Sequence, residues 1–238
     1  MALPYCGAPP DPAVLLGRWN LDPVLLAALA VCVGVHVAFA PRTRRLAAAG
    51  WMVAALALVS PLCALSVSLF AARVAQHLVL GFAAAPLLAA ALPGLRPRAP
   101  WSTAAAFAGA MWLWHLPAPY ALTLRSTLAY WAMHLSIFGS ALLLWSALIV
   151  RGEGGLSRLA AGTFASAAMG LLGALLALAG RPWFAWHELT APRWGLSPLA
   201  DQQLGGLLMW VPGSALFLWL ALRETHDLMN RKPATVSA

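Results

Sequence analysis

LAAAGWMVAALALVSPLCALSVSLFAARVAQHLVLGFAAAPLLAAAL, Leu46 to Leu92, carries a single charged residue, Arg73. The run is more than twice the about 20 apolar residues that cross a bilayer core as a helix. It therefore predicts two spans, with Arg73 at a tight surface turn between them. The Leu/Ala-rich text shows no period-2 alternation, and backbone polar groups in lipid must pair within their own segment, so the spans read as helices and not barrel strands.

Apolar runs recur on both sides, and the whole chain is 62% apolar and 9% charged. Seven spans are expected, at about 23–40, 46–70, 72–92, 100–116, 128–150, 159–180 and 199–222. The chain then reads as an all-α integral membrane protein, a seven-transmembrane-helix bundle. Residues 1–22 form an N-terminal segment, 23–222 a single membrane domain and 223–238 a tail.

The positive charges orient the bundle. The segments after spans one, three, five and seven hold Arg42, Arg44, Arg45, Arg96, Arg98, Arg151, Arg158, Arg223, Arg231 and Lys232; the other side holds Arg18, Arg73, Arg125, Arg181 and Arg193. This two-to-one bias puts the N-terminus outside and the C-terminus in the cytoplasm. The net charge of +8 is thereby a topology signal, and no nucleic-acid partner is expected. Cys6, Cys32 and Cys63 form no C-x-x-C pair, so a thioredoxin-like module and a thiolate zinc site are excluded, and Cys32 and Cys63 read as ordinary span residues. No basic residue precedes Arg18, so the first span is expected to stay as an anchor rather than be cleaved as a signal. In span six, Gly162, Ser166 and Gly170 stand four apart, a small-residue stripe for close helix approach.

Sorted by depth, four of the six histidines converge on the outer face: His77 in span three, His134 in span five, His115 at the end of span four, and His187 in the loop after span six, which reads as solvated. Gln76 adjoins His77, and Asp201, Gln202 and Gln203 open span seven at the same level. Polar residues at membrane depth are costly and mark a site facing the bundle interior. The similar texts AQHL and AMHL suggest that His77 and His134 face each other. In MWLWHLPAPY, Met111 to Tyr120, Pro117 and Pro119 end span four, Trp112 and Trp114 seat that end at headgroup level, and His115 forms one wall of the site.

Imidazole suits copper, iron and zinc, and thioethers favour cuprous copper. Met111 lies one turn before His115 and Met133 adjoins His134, so His77, His115, His134 and Met111 are the candidate ligands. Gln76, Arg73, Asp201, Gln202 and Met133 would support them. Arg73, one turn before His77, would keep the ring neutral, as a ligand must be, with Asp201 as its counter-charge.

The order of RVAQHLVLGFAAAPLLAAALP, MWLWHLPAPY, YWAMHL and LSPLADQQLGGLLMWVPG resembles the multi-span CtaG family of cytochrome c oxidase assembly factors, over about residues 60–222. The resemblance implies a non-enzymatic, multi-pass protein of the bacterial cytoplasmic membrane that supports biogenesis of a terminal oxidase. Copper delivery is the step the resemblance implies, with oxidase subunits as partners and a periplasmic copper donor upstream. In the family pattern a histidine often stands four residues ahead of the one matching His77; here that position is Arg73, so the ligands must come from three helices. The competing expectations are a b-type cytochrome with His77 and His134 on haem, a transporter, for which no inverted repeat is seen, and a metal-free scaffold for oxidase subunits.

Overall fold

The computed structural model describes residues 3–39, 41–92, 94–95, 99–149 and 154–230. Among these there is no strand. The helices are α1 Pro23–Phe39, α2 Arg44–Val59, α3 Pro61–Ser68, α4 Phe70–Ala91, α5 Pro100–Trp114, α6 Pro117–Thr123, α7 Thr127–Leu148, α8 Gly155–Ala177, α9 Ala185–Thr190 and α10 Pro198–Met229. A helix overlaps each of the seven expected stretches, with ends displaced by up to seven residues. By length and composition, α4, α7, α8 and the first 26 residues of α10 can each cross a membrane, and α2 with α3, bent by 47°, would make a fifth. α1 has 17 residues and α5 has 15. Arg96, Arg98, Arg151, Arg231 and Lys232, used above to orient the chain, lie outside the described residues.

The long apolar run is broken earlier than expected. Ser60 leaves the helical region and its hydroxyl accepts from the Leu62 amide, while Pro61 supplies a first helical residue with no N–H to satisfy. A second break follows at Leu69, whose backbone is extended (φ −128°, ψ 132°). Arg73 is therefore not at a surface turn: it lies inside the first turns of α4, 1% exposed.

α4 is the central helix, packed by α2, α3, α7 and α10. It holds a π-helical turn, Val79–Ala84, separated from Pro86 by Ala85 alone. The wider turn sends the Ala85 amide to the Leu80 carbonyl, five residues back, so the Gly81 carbonyl loses its usual donor. The Trp145 indole of α7 donates to it at 2.8 Å. Trp145→Phe should leave that buried carbonyl bare and cost about 1–3 kcal/mol, read as a lowered melting temperature in detergent; an unchanged midpoint would contradict this role. At its far end α4 is finished by Thr43, whose hydroxyl donates to the Ala91 carbonyl at 2.7 Å, and by His36, whose Nε2 donates to the same oxygen at 3.4 Å.

The most extensive helix pair is α8 with α10. In the small-residue stripe of α8, Gly162 and Gly170 are buried and Ser166 half-buried, but the closest approach lies three residues further along. A Cβ on Gly162 or Gly170 would meet neighbours at ordinary distances of 3.5 and 3.6 Å, whereas one on Gly173 would stand 2.8 Å from the Gly206 carbonyl oxygen. Backbone meets backbone at Gly173 and Gly206.

Candidate functional site

The first turns of α4 bring Arg73, Gln76 and His77 into the bundle, where all three are buried. α7 adds His134, and His115 follows α5 as its C-cap residue. Chain direction changes sharply there: Trp114 ends α5, Leu116 is extended, and Pro117 opens α6. Pro117 thus starts a helix as well as ending one. Trp112 and Trp114 are interhelical donors, to the Ala168 carbonyl at 3.0 Å and the Ser136 hydroxyl at 2.7 Å.

The three rings meet. His77 sits edge to face between His115 and His134, with ring centroids 5.4 and 5.3 Å away. Their exposures are 2%, 0% and 3%, so nothing reaches them without movement of the protein.

The hydrogen bonds define the nitrogens. His115 Nδ1 lies 2.7 Å from the Met111 carbonyl and His134 Nδ1 lies 3.0 Å from the Tyr130 carbonyl. A carbonyl only accepts, so both Nδ1 atoms carry the proton and both Nε2 atoms present lone pairs. His115 Nε2 has no partner, and neither nitrogen of His77 has one. His134 Nε2 faces Gln76 Oε1 at 3.3 Å, while Gln76 Nε2 donates to the Ala57 carbonyl at 2.8 Å. In this arrangement lone pair faces lone pair at His134. Turning the amide round would move the conflict to Ala57. The cluster is short of a proton or a cation, and buried polar atoms are rarely left in that state.

Arg73 closes one side. Its Nε donates to the Ser66 carbonyl at 3.3 Å, its guanidinium lies 5.4 Å from the Tyr130 ring centroid, and Nη1 has no partner. The C-terminal carbonyls of α3 and an aromatic face thus compensate the charge, instead of a carboxylate.

Asp201 is not that counter-charge. Its two oxygens accept from the Phe70 amide at 2.7 Å and the Ala71 amide at 3.0 Å, capping α4 from another helix where Leu69 has no side chain to do so. Gln202 does not line the cluster either: its oxygen accepts from the Trp183 amide at 2.6 Å and its nitrogen donates to the Leu176 carbonyl at 3.3 Å. Gly205 admits the Phe70 ring, which would lie 2.5 Å from a Cβ there. This stretch of α10 therefore sets the start of α4, and with it the depth of Arg73, Gln76 and His77. Asp201→Ala should leave two buried amides unpaired and lower stability by about 2–4 kcal/mol, while Asp201→Asn, which keeps one acceptor, should cost less than half as much. A charge pair with Arg73 would make both substitutions equally damaging in a melting experiment.

Met111 and Met133 belong to the apolar core, and Met111 serves the site through its carbonyl. Among the described residues, no group of three or more His, Cys, Asp or Glu side chains is gathered tightly enough to hold a metal ion as it stands.

His187 is not solvated. It is buried in α9, in the segment that joins α8 to α10, accepts from the Tyr120 hydroxyl at 2.6 Å and donates from Nδ1 to the Ser68 carbonyl at 3.1 Å. Burial pushes its pKa down to about 3, against the opposing pull of the Ser68 carbonyl, so the ring is neutral. It supports the Phe70, Tyr120 and Phe184 stack beside His115.

Cys63 is not an ordinary span residue: it is disulfide-bonded to Cys6 across 57 residues of chain. Cys32 is free and exposed on α1. The disulfide touches the site through Tyr130, whose hydroxyl lies 3.5 Å from Cys6 Sγ and 3.6 Å from Cys63 Sγ and whose ring is 4.2 Å from that of His134. Tyr130, Tyr5 and the cysteine pair were not legible as site residues from spacing.

The model of the cytochrome c oxidase caa3 assembly factor family (Caa3_CtaG) matches residues 29–229. No match to a curated protein or to a solved structure is found. The match takes in α4, α5, α7, the DQQLGG start of α10 and every histidine of the cluster, and the chain belongs to the cytochrome c oxidase caa3 assembly factor family.

Proposed function

We propose that the protein holds copper at the His77, His115 and His134 cluster and passes it to an oxidase subunit during assembly, without catalytic turnover of its own. One observation carries the proposal: buried imidazole and amide lone pairs converge with too few donors to satisfy them. A cation accepting electron pairs from neutral ligands supplies what is missing, and imidazole suits copper. The fixed charge of Arg73 weakens the hold on any cation, which fits a metal that must leave again. Because the rings stand edge to face, small ring rotations are needed to aim three nitrogens at one point. The haem alternative would need a porphyrin between His77 and His134, whose rings are in contact.

The same reading places seven spans in a bacterial cytoplasmic membrane with the cluster toward the outside. The disulfide supports that orientation, since such bonds persist in oxidising compartments and this one lies on the face of the cluster. A periplasmic donor would load the site and the oxidase would unload it. The test is complementation of a strain lacking the protein: the wild-type chain should restore oxidase copper content and activity. Full oxidase copper without the protein would reject the assignment.

A further inference from the structure

The histidines are sealed, and the N-terminal segment packs on the side of the cluster closed by Tyr130, whose ring lies 4.2 Å from that of His134. The segment's first turn closes through the Gly7 amide on the Pro4 carbonyl at 2.8 Å, with Gly7 at φ +86°, a conformation that favours glycine. Tyr5 is thereby laid on Tyr130 and Trp131, with ring centroids 4.6 and 5.1 Å apart. Beyond the disulfide and this packing, the segment is tied by the Ser68 hydroxyl to the Pro10 carbonyl at 3.4 Å, by Asn20 to α2 and by an exposed Arg193–Asp11 pair at 3.5 Å. An exposed pair contributes little. The Tyr5 hydroxyl also donates to the Asp22 carboxylate just ahead of α1, and the disulfide is the covalent fastening of the segment to the bundle.

The chemistry around the sulfurs is asymmetric. Cys63 is fully buried, while Cys6 is partly exposed, which makes Cys6 the more accessible residue of the pair. The Tyr130 hydroxyl reaches both sulfurs, and the Asn20 side-chain amide reaches Cys63 Sγ at 3.6 Å. A disulfide sulfur carries no proton, so both groups point donors at it. Donors so placed would stabilise a departing thiolate on Cys63, since hydrogen bonds to an ionised acceptor are the stronger kind.

We propose that Cys6–Cys63 is a redox-active disulfide, exchanged by a dithiol reductant, whose opening frees the N-terminal segment from the histidine cluster. A thiolate of the reductant attacks Cys6 Sγ; the S–S bonding pair leaves with Cys63 Sγ, held by the Tyr130 and Asn20 donors. The reductant's second thiol then displaces Cys6 from the mixed disulfide. The reductant loses two electrons and two protons and becomes a disulfide; Cys6 and Cys63 gain both and become thiols. The proposal concerns regulation of the copper site and rests on the cluster being the working centre.

The test uses the full-length protein in detergent with dithiothreitol as probe, and contains no copper. Thiols are trapped with a maleimide and counted by mass, and His77 and His134 are modified with diethyl pyrocarbonate. Reduction is expected under native conditions, with histidine modification rising about tenfold as the segment moves away. Tyr130→Phe should slow reduction about tenfold, one hydrogen bond to the leaving sulfur being lost. A bond that yields only after unfolding, an unchanged Tyr130→Phe rate, or reduction without a rise in histidine modification would each overturn the proposal. Cys6→Ser/Cys63→Ser should mimic the open state, and if it does not fold, chemical reduction of the wild-type chain still decides. A protein that opens but binds no copper would remove the copper reading alone.

Discussion

Gly206→Ala is expected to prevent assembly of the bundle. The added Cβ would lie 2.5 Å from the Ala177 amide nitrogen and 2.6 Å from the Gly173 carbonyl oxygen, both backbone atoms that cannot rotate away. α8 and α10 would have to separate along the largest helix contact of the fold, at about 3 kcal/mol or more, the upper end of overpacking costs. The damage would spread to the site, because α10 also caps α4 through Asp201 and receives Phe70 at Gly205. Gly162→Ala is the control, since its Cβ would stand 3.5 Å from Leu148. Fluorescence-detected gel filtration after stepwise heating reads both variants. Equal midpoints would mean that α8 and α10 do not meet in this register.

His77→Phe should separate function from stability. Neither ring nitrogen of His77 has a partner in the buried cluster, so the ring's polar atoms cost desolvation and return no hydrogen bond. A phenyl ring of similar shape removes that cost and should raise stability by about 1–3 kcal/mol. The same change deletes the central ligand, and oxidase copper in cells should fall at least to the level of the strain lacking the protein. Met133→Leu, a substitution in the apolar core, should change neither quantity much. A His77→Phe protein that is destabilised would indicate that the ring is engaged in bonds of its own; one that is stable and active would remove His77 from the site.

The helical text was readable because each span is a long apolar run, and depth counting along those runs was enough to bring His77, His115 and His134 together. What it missed were interactions made across the chain. Arg73 looked like a turn residue because charge usually marks a surface, but an arginine can be buried on an aromatic ring and a helix C-terminus. Asp201 looked like its partner because opposite charges attract, while two unpaired amides at the start of α4 are the stronger claim on a carboxylate. His187 lies in a connecting segment, and only the fold shows that Tyr120 and Ser68 cover it. Cys63 looked like an ordinary span residue, because its partner Cys6 stands 57 residues away and spacing along the chain does not express such a pair.

The most direct measurement of the central claim is the copper content of the purified protein after loading with cuprous ion and removal of weakly held metal, with X-ray absorption at the copper edge. One copper per chain is expected, in a shell of two or three imidazole nitrogens, lost in His77→Phe and kept in Met133→Leu. Copper-free protein after loading, or copper retained in His77→Phe with an unchanged shell, would contradict the claim.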